Sequence, residues 1–363
     1  MKILAVAFCP PIGAIVDSFV QLVVDLSLQA EVSVLCPQNV VLIGGNFQKV
    51  YQIDYSSDRP FAFLSTRTWL ILQEILKAKF DVVFFFSQHI LNVPVALIGK
   101  HCSQVMWWHE PIKRGRTTFL KYLLYIPHDY ILTHQARKII VACEAMRSLV
   151  PHHLADKLST VSLPLLGESA HEELPTQIVA GSDLLFFGNI EAYKGLDVLA
   201  AALKQLYTQG KFFTLTVIGR GNIDQHCPLL RELAIAYPQQ IKIKNNYEPY
   251  SSIIAAIKAC KVVVLPYLTA TGTNTIQLTY HYSKPAIATA TGCFQNYIVD
   301  GETGLLVPPG DALALAQAIM KMLAVPDTAQ YMGKQAYKYF GEHFQLSLIT
   351  SQLLEVFRQA IQE

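Results

Sequence analysis

A chain of 363 residues, 52% hydrophobic and 15% charged, is long enough for two α/β units and too apolar to be disordered. Its 29 Lys and Arg against 27 Asp and Glu give a formal charge of +2, which excludes the broad cationic field of a nucleic-acid binder. Seven scattered cysteines with no C-x-x-C pair indicate neither a disulfide framework nor a zinc site, and a reducing cytoplasm is the expected setting.

Residues 2–8 read as a buried strand whose only charge is Lys2, and Pro10, Pro11 and Asp17 interrupt the segment after it, so no signal peptide is expected. A helical pattern through Phe19, Leu22, Val23 and Leu26 and a strand at 31–35 complete an opening βαβ unit. Strands at 81–86, 104–108 and 138–142, with a helix near 93–100, continue the alternation as unbroken apolar runs. Such runs suit parallel strands covered on both faces. Between 163 and 182 the texture turns polar and breaker-rich, with Pro164, Gly167, Glu168, Ser169, Glu172, Glu173, Pro175 and Gly181, and a linker is expected over 166–181.

A second βα series comes next. Strands are expected at 184–188, 213–218, 241–244 and 262–266, and helices at 195–208, near 229–236, near 251–260 and at 276–282. The last pattern, 346–361, is an amphipathic helix with Ile349, Leu353, Val356, Phe357 and Ile361 on one side, expected to pack back on the first domain. The runs free of acidic and basic residues, 82–99 and 262–283, are broken by polar side chains, and neither reads as a membrane span.

Three ordered motifs stand in the second half: LLFFGNIEAYKGLD over 184–197, SKPAIA around Pro285, and DGETGLLVPPGD over 300–311. In content, order and spacing they resemble the C-terminal half of retaining glycosyltransferases of the family 4 type, which have the GT-B fold. The resemblance covers 182–325 well, and the first domain loosely, through its opening βα unit and His109-Glu-Pro111. It implies an α/β GT-B architecture, two Rossmann-like doubly wound parallel-sheet domains facing a cleft. Residues 1–165 would be the acceptor-side domain, 182–343 the nucleotide-sugar-binding domain, and 344–363 the returning helix. The implied reaction moves a sugar from a nucleotide-diphosphate donor to a glycan or lipid-linked acceptor with retention, in polysaccharide or glycoconjugate biosynthesis.

A departing diphosphate gains negative charge, so cations and backbone donors are wanted around it. Lys194, at a strand-to-helix junction, is the first candidate, and the matching lysine of the family contacts the diphosphate. Asn189 stands where the family carries an arginine, and Arg220 in Ile218-Gly-Arg-Gly221 is a substitute cation or a surface residue. Thr273, Asn274 and Thr275 precede a helix as a second anion-binding loop or a simple cap. Two glutamates that the family places around this loop are replaced by Ala270 and Leu278. Tyr247 aligns with the base-binding turn, and Gly13 lets backbone approach a ligand or merely turns. His109, at a strand's carboxyl end, matches the family's histidine near the donor sugar and is the candidate catalytic residue.

No cofactor beyond the sugar nucleotide and no metal is expected, because the chain has no Asp-x-Asp triplet. Lys113, Arg114 and Arg116, interleaved with aromatic and aliphatic residues, are a candidate peripheral membrane contact at the inner face of a cytoplasmic membrane, or a solvated loop beside a core helix. Two other functions stay open: a nucleotide-sugar-binding protein without turnover, motivated by Asn189, Ala270 and Leu278, and a sugar-nucleotide epimerase on the same fold. A dinucleotide oxidoreductase is disfavoured, since the first turn, Cys-Pro-Pro-Ile-Gly, lacks G-x-G-x-x-G.

Overall fold

The computed structural model describes residues 1–9, 14–54, 65–111, 119–165 and 181–363. The chain divides into two compact units, Met1–Gly167 with Phe344–Glu363, and Glu168–His343. Most of the stretch expected as a linker, 166–180, lies outside the described residues, as do Gly13, Lys113, Arg114 and Arg116.

Among the described residues the first unit holds seven strands: β1 (Lys2–Val6), β2 (Glu31–Pro37), β3 (Phe47–Ile53), β4 (Val82–Phe85), β5 (Ser103–Trp107), β6 (Lys138–Val141) and β7 (Leu158–Thr160). They form one parallel sheet in the order β3-β2-β1-β4-β5-β6-β7. The apolar runs KILAV, VVFF and KIIV are enclosed by α1 (Ala14–Gln29), α2 (Thr66–Lys77), α3 (Asn92–Ile98), α4 (Phe119–Gln135) and the C-terminal helix Leu346–Gln362. Edge strand β3 differs in kind, because in FQKVYQI Gln48, Lys49 and Val50 are exposed while Tyr51 and Ile53 are buried, and it shows no continuous apolar signal. The Ser65 side chain starts α2 by accepting from the Thr68 amide.

The second unit repeats the plan with β8 (Leu184–Phe187), β9 (Leu215–Ile218), β10 (Ile241–Lys244), β11 (Val262–Leu265), β12 (Ala286–Thr289) and β13 (Gly304–Val307). These pair in parallel in the order β10-β9-β8-β11-β12-β13. The helices are α5 (Leu196–Thr208), α6 (Ile223–His226), α7 (Pro228–Ala236), α8 (Tyr250–Ala259), α9 (Thr275–His281), α10 (Phe294–Tyr297), α11 (Ala312–Ala324) and α12 (Pro326–His343). Both sheets are Rossmann-like, and in each the chain reverses direction across the sheet beside its first strand, at β1/β4 and at β8/β11. Ligands of such sheets gather outside the carboxyl ends of the strands at that reversal.

Helix α13 (Leu346–Gln362) then completes the first unit. Ile349, Leu353, Phe357 and Ala360 are fully buried, and the Phe357 ring lies 5.1 Å from Phe84 on β4. Each large apolar side chain so enclosed contributes about 1.5 to 3 kcal/mol. Ile361, expected on the same face, is instead 44% exposed; it lies in the helix's last turn. Lys138 at the start of β6 pairs with Glu363. Cys9, Cys36, Cys102, Cys227 and Cys260 are free thiols.

Candidate functional site

At the end of β8, Gly188 turns the chain with a φ of 126°. The segments beyond β8 and β9 then run side by side. The Gly188 amide donates to the Ile218 carbonyl (3.0 Å) and the Ile190 amide to the Arg220 carbonyl (2.9 Å). A Cβ at Gly219 would stand 1.8 Å from the Gly188 carbonyl oxygen, so this approach requires glycine. Asn189 and Arg220 ride on these two segments, both exposed.

A single 3-10 turn, Ala192–Lys194, leads through Gly195 into α5. Gly195 has a φ of 69°, and a Cβ there would meet the Pro266 carbonyl oxygen at 1.9 Å. The Leu268 amide donates to the Tyr193 carbonyl at 2.7 Å. The turn is thereby fastened to the chain leaving β11, the strand next to β8. Lys194 is half-buried there, its Nζ 3.8 Å from the centroid of the Tyr267 ring and 5.1 Å from that of Tyr193. Asp197, the last residue of the first motif, faces the backbone amides of Leu229 and Leu230 at the start of α7. Burial lifts its pKa, and those amide hydrogen bonds oppose the rise. α7 itself opens with Pro228, which has no amide to satisfy.

Thr273 and Asn274 lie between β11 and α9, and Thr275 opens α9. The hydroxyls of Thr273 and Thr275 are 2.8 Å apart, and the Thr275 amide donates to Thr273 Oγ1 at 3.3 Å. Asn274 occupies the cap position of α9, is buried, and makes no side-chain cap bond. Ala270 and Leu278 are both buried and apolar, so no carboxylate stands at either place. A Cβ on Gly292 would lie 2.0 Å from the Ala270 carbonyl oxygen, which seats that stretch tightly against the loop after β12.

In the first unit His109 follows β5, and its Nε2 lies 2.6 Å from the Phe86 carbonyl oxygen. A carbonyl only accepts, so Nε2 carries the proton and Nδ1 keeps its lone pair. The ring stacks on Trp107 (5.7 Å, 7°) and meets Phe86 edge-on (4.9 Å). Enclosure by these rings pushes its pKa down to about 4, against the smaller opposing effect of the Phe86 carbonyl. The imidazole is neutral at neutral pH.

Residues 181–324, which hold the Lys194 turn, match the family model described as Glycosyl transferases group 1. The chain carries a group 1 glycosyl transferase domain. By that domain the protein is a glycosyltransferase. It is 25% identical over 281 residues to the D-rhamnosyltransferase WbpZ of Pseudomonas aeruginosa, covering 74% of this chain and 71% of that one. It is 26% identical over 182 residues to the phosphatidyl-myo-inositol mannosyltransferase of Mycobacterium leprae, covering 49% of this chain and 46% of that one. Among solved structures, HepE (Alr3699) of Anabaena, crystallised with UDP, superposes with a TM-score of 0.71 at 15% identity, covering 99% and 100% of the two chains. That likeness is one of fold, and the fold is GT-B.

Within this glycosyltransferase, Asn189, Lys194, Arg220 and Thr273–Thr275 follow the carboxyl ends of three neighbouring strands, β8, β9 and β11. Tyr247 follows β10, at the sheet's edge, with 70% of its surface exposed. His109 belongs to the other unit. Two features of the structure have no counterpart among the sequence motifs. The first is Tyr267, since nothing in Leu-Pro-Tyr-Leu signals that its ring lies under Lys194. The second is a polar chain in the first unit. The Asn92 amide donates to the Ser87 carbonyl (2.5 Å) and lies 3.3 Å from His128 Nε2, whose Nδ1 is 2.8 Å from Asp129. Asp129 in turn accepts from Gln88, whose carbonyl oxygen takes the Glu110 amide (3.0 Å). It holds the backbone beside His109.

Proposed function

We propose that the protein transfers a sugar from a nucleotide-diphosphate donor to a glycan or lipid-linked acceptor, with the anomeric configuration retained, in polysaccharide or glycoconjugate assembly. The observation that carries the donor half is the Lys194 ammonium, at the carboxyl edge of a group 1 domain's sheet, two residues before the 13-residue helix α5. The charge released on the diphosphate as the glycosidic bond breaks is stabilised by that ammonium and by the positive end of the helix. Asn189, Arg220, Thr273, Asn274 and Thr275 supply further polar contacts, Tyr247 the face for the base, and Gly13 a close backbone approach. His109 serves the sugar-transfer step, its neutral ring offering the Nδ1 lone pair. In this reading the acceptor hydroxyl attacks on the face from which the diphosphate departs and passes its proton to the leaving phosphate oxygen.

The donor class is supported by the names of the similar proteins, among them HepE crystallised with UDP-glucose and transferases of rhamnose and mannose. No metal and no separate cofactor enters the reading. We place the protein on the cytoplasmic side, at the inner membrane face, with Lys113, Arg114 and Arg116 as the membrane contact. No helix among the described residues is long and apolar enough to cross a membrane.

The test is calorimetric titration with UDP and GDP. A charge-assisted phosphate contact is worth about 1.5 to 3 kcal/mol, so Lys194→Ala is expected to weaken the tighter ligand by about tenfold or more. Equal affinity would remove Lys194 from the site. A second reading, donor binding without turnover, is favoured by the buried, apolar Ala270 and Leu278. It predicts nucleotide binding with no sugar released or transferred across a panel of donors and acceptors.

A further inference from the structure

We infer that Tyr267 is a positioning residue for the donor diphosphate, its ring face setting the height and direction of the Lys194 ammonium. This rests on the proposed donor site and names the device that makes Lys194 effective. The ammonium lies 3.8 Å from the ring centroid, inside the distance at which a cation is drawn to an aromatic face. The ring is itself only 2% exposed, its other contacts including Phe294 edge-on at 5.1 Å and Tyr193 at 6.3 Å. A cation over a dry ring is held more strongly than one over a wet ring.

The backbone supports the same geometry. Tyr267 sits between Pro266, whose carbonyl lies against Gly195, and Leu268, whose amide bonds the Tyr193 carbonyl. Ring and lysine therefore belong to two segments clamped on either side of the contact. A lysine side chain freely rotating in water loses conformational entropy on gripping a ligand. On Tyr267 that loss is already incurred in the free protein. Asn189, where the resembling family has an arginine, leaves one fixed cation fewer, which raises the value of holding Lys194 in place.

The Tyr267 hydroxyl is buried and has no hydrogen-bond partner among the described residues. The face and the hydroxyl are thus separable by mutation. Wild type, Lys194→Ala, Tyr267→Phe, Tyr267→Leu and the double variant Lys194→Ala/Tyr267→Leu are titrated with UDP and GDP, with melting temperature as the folding control. Tyr267→Phe keeps the face and is expected to bind within about twofold of wild type. Tyr267→Leu is expected to lose about five- to thirtyfold, the range of a partly to fully desolvated cation–π contact. In the Lys194→Ala background the same Leu substitution is expected to cost less than about twofold, because the cation it positions is gone.

Outcomes separate the two claims. If Lys194→Ala binds as wild type does, or wild type binds neither diphosphate, the donor reading fails and takes this inference with it. If Lys194→Ala weakens binding while Tyr267→Leu, with a wild-type melting temperature, does not, the positioning role alone is overturned. It is overturned also if Tyr267→Phe loses as much as Tyr267→Leu, which would assign the effect to the hydroxyl, or if Leu costs as much without Lys194 as with it.

Discussion

Gly195 stands at the point where the least tolerance is expected, since a side chain there is opposed twice. Its φ of 69° is costly for any L-residue, and the Cβ would sit 1.9 Å from a backbone oxygen that cannot swing aside. Gly195→Ala is expected to cost about 2 to 4 kcal/mol and to displace the Lys194 turn. Gly210 has a similar φ of 74° but nothing within 4 Å, so Gly210→Ala should cost only about 1 to 2 kcal/mol, the backbone penalty alone. Urea unfolding of both variants checks this, and equal losses would show that the Pro266 contact is irrelevant. His109 makes the complementary case for pH. Its folded pKa of about 4 lies below the ordinary value of 6.5, as does that of His89, where burial dominates and His128 adds to it. The unfolded chain therefore takes up protons between those values that the folded chain refuses. Stability from these rings is complete above pH 6.5 and is lost as pH falls towards 4. His109→Gln should flatten the pH dependence of the urea midpoint across that window; an unchanged slope would contradict the enclosed neutral ring.

At the scale of elements, α13 shows how a periodic signal becomes energy. Phe357→Ala empties a fully enclosed site against Phe84 and is expected to cost about 3 to 5 kcal/mol in the first unit, read by thermal unfolding. Val356→Ala, on the same helix but at the margin of the buried face, should cost less. The helix was legible because its apolar residues recur at helical spacing, and strands such as β1, β4 and β11 because they are apolar without interruption. β3 was not, because an edge strand faces solvent along much of its length and carries Gln48 and Lys49 among its apolar residues. In the candidate site, Lys194 was legible because its motif is local and ordered. Tyr267 was not, because the contact joins residues far apart in the chain through two loops, and a strand-end tyrosine has no pattern of its own. The polar chain from Asn92 to Glu110 was hidden for the same reason: each member is an ordinary polar residue until the fold brings it to the next.

For the whole molecule the informative feature is the path of the chain, in which the second unit, Glu168–His343, is inserted within a first unit closed by Phe344–Glu363. Each unit has a sheet and core of its own. Glu168–His343 expressed alone is expected to fold cooperatively and to bind the same nucleoside diphosphate within a few fold of the full chain, the Lys194 turn and Tyr267 both lying inside it. Met1–Gly167 alone should be far less stable, because the apolar face that α13 covers would stand in water. Cooperative thermal unfolding of that fragment at the temperature of the whole protein would contradict this account.

The same path sets an order of events at the ribosome. Domains are generally completed from the amino end as they emerge, but here the amino-terminal sheet appears first and is finished last, since Phe357 reaches Phe84 only after every residue of the second unit has been made. The early sheet must wait with the surface that α13 covers bare while its neighbour folds. During that interval the exposed β4–β5 surface is the part of the nascent chain most open to chaperones and to aggregation. A chain cut after residue 343 would hold a complete second unit joined to a first unit that lacks α13.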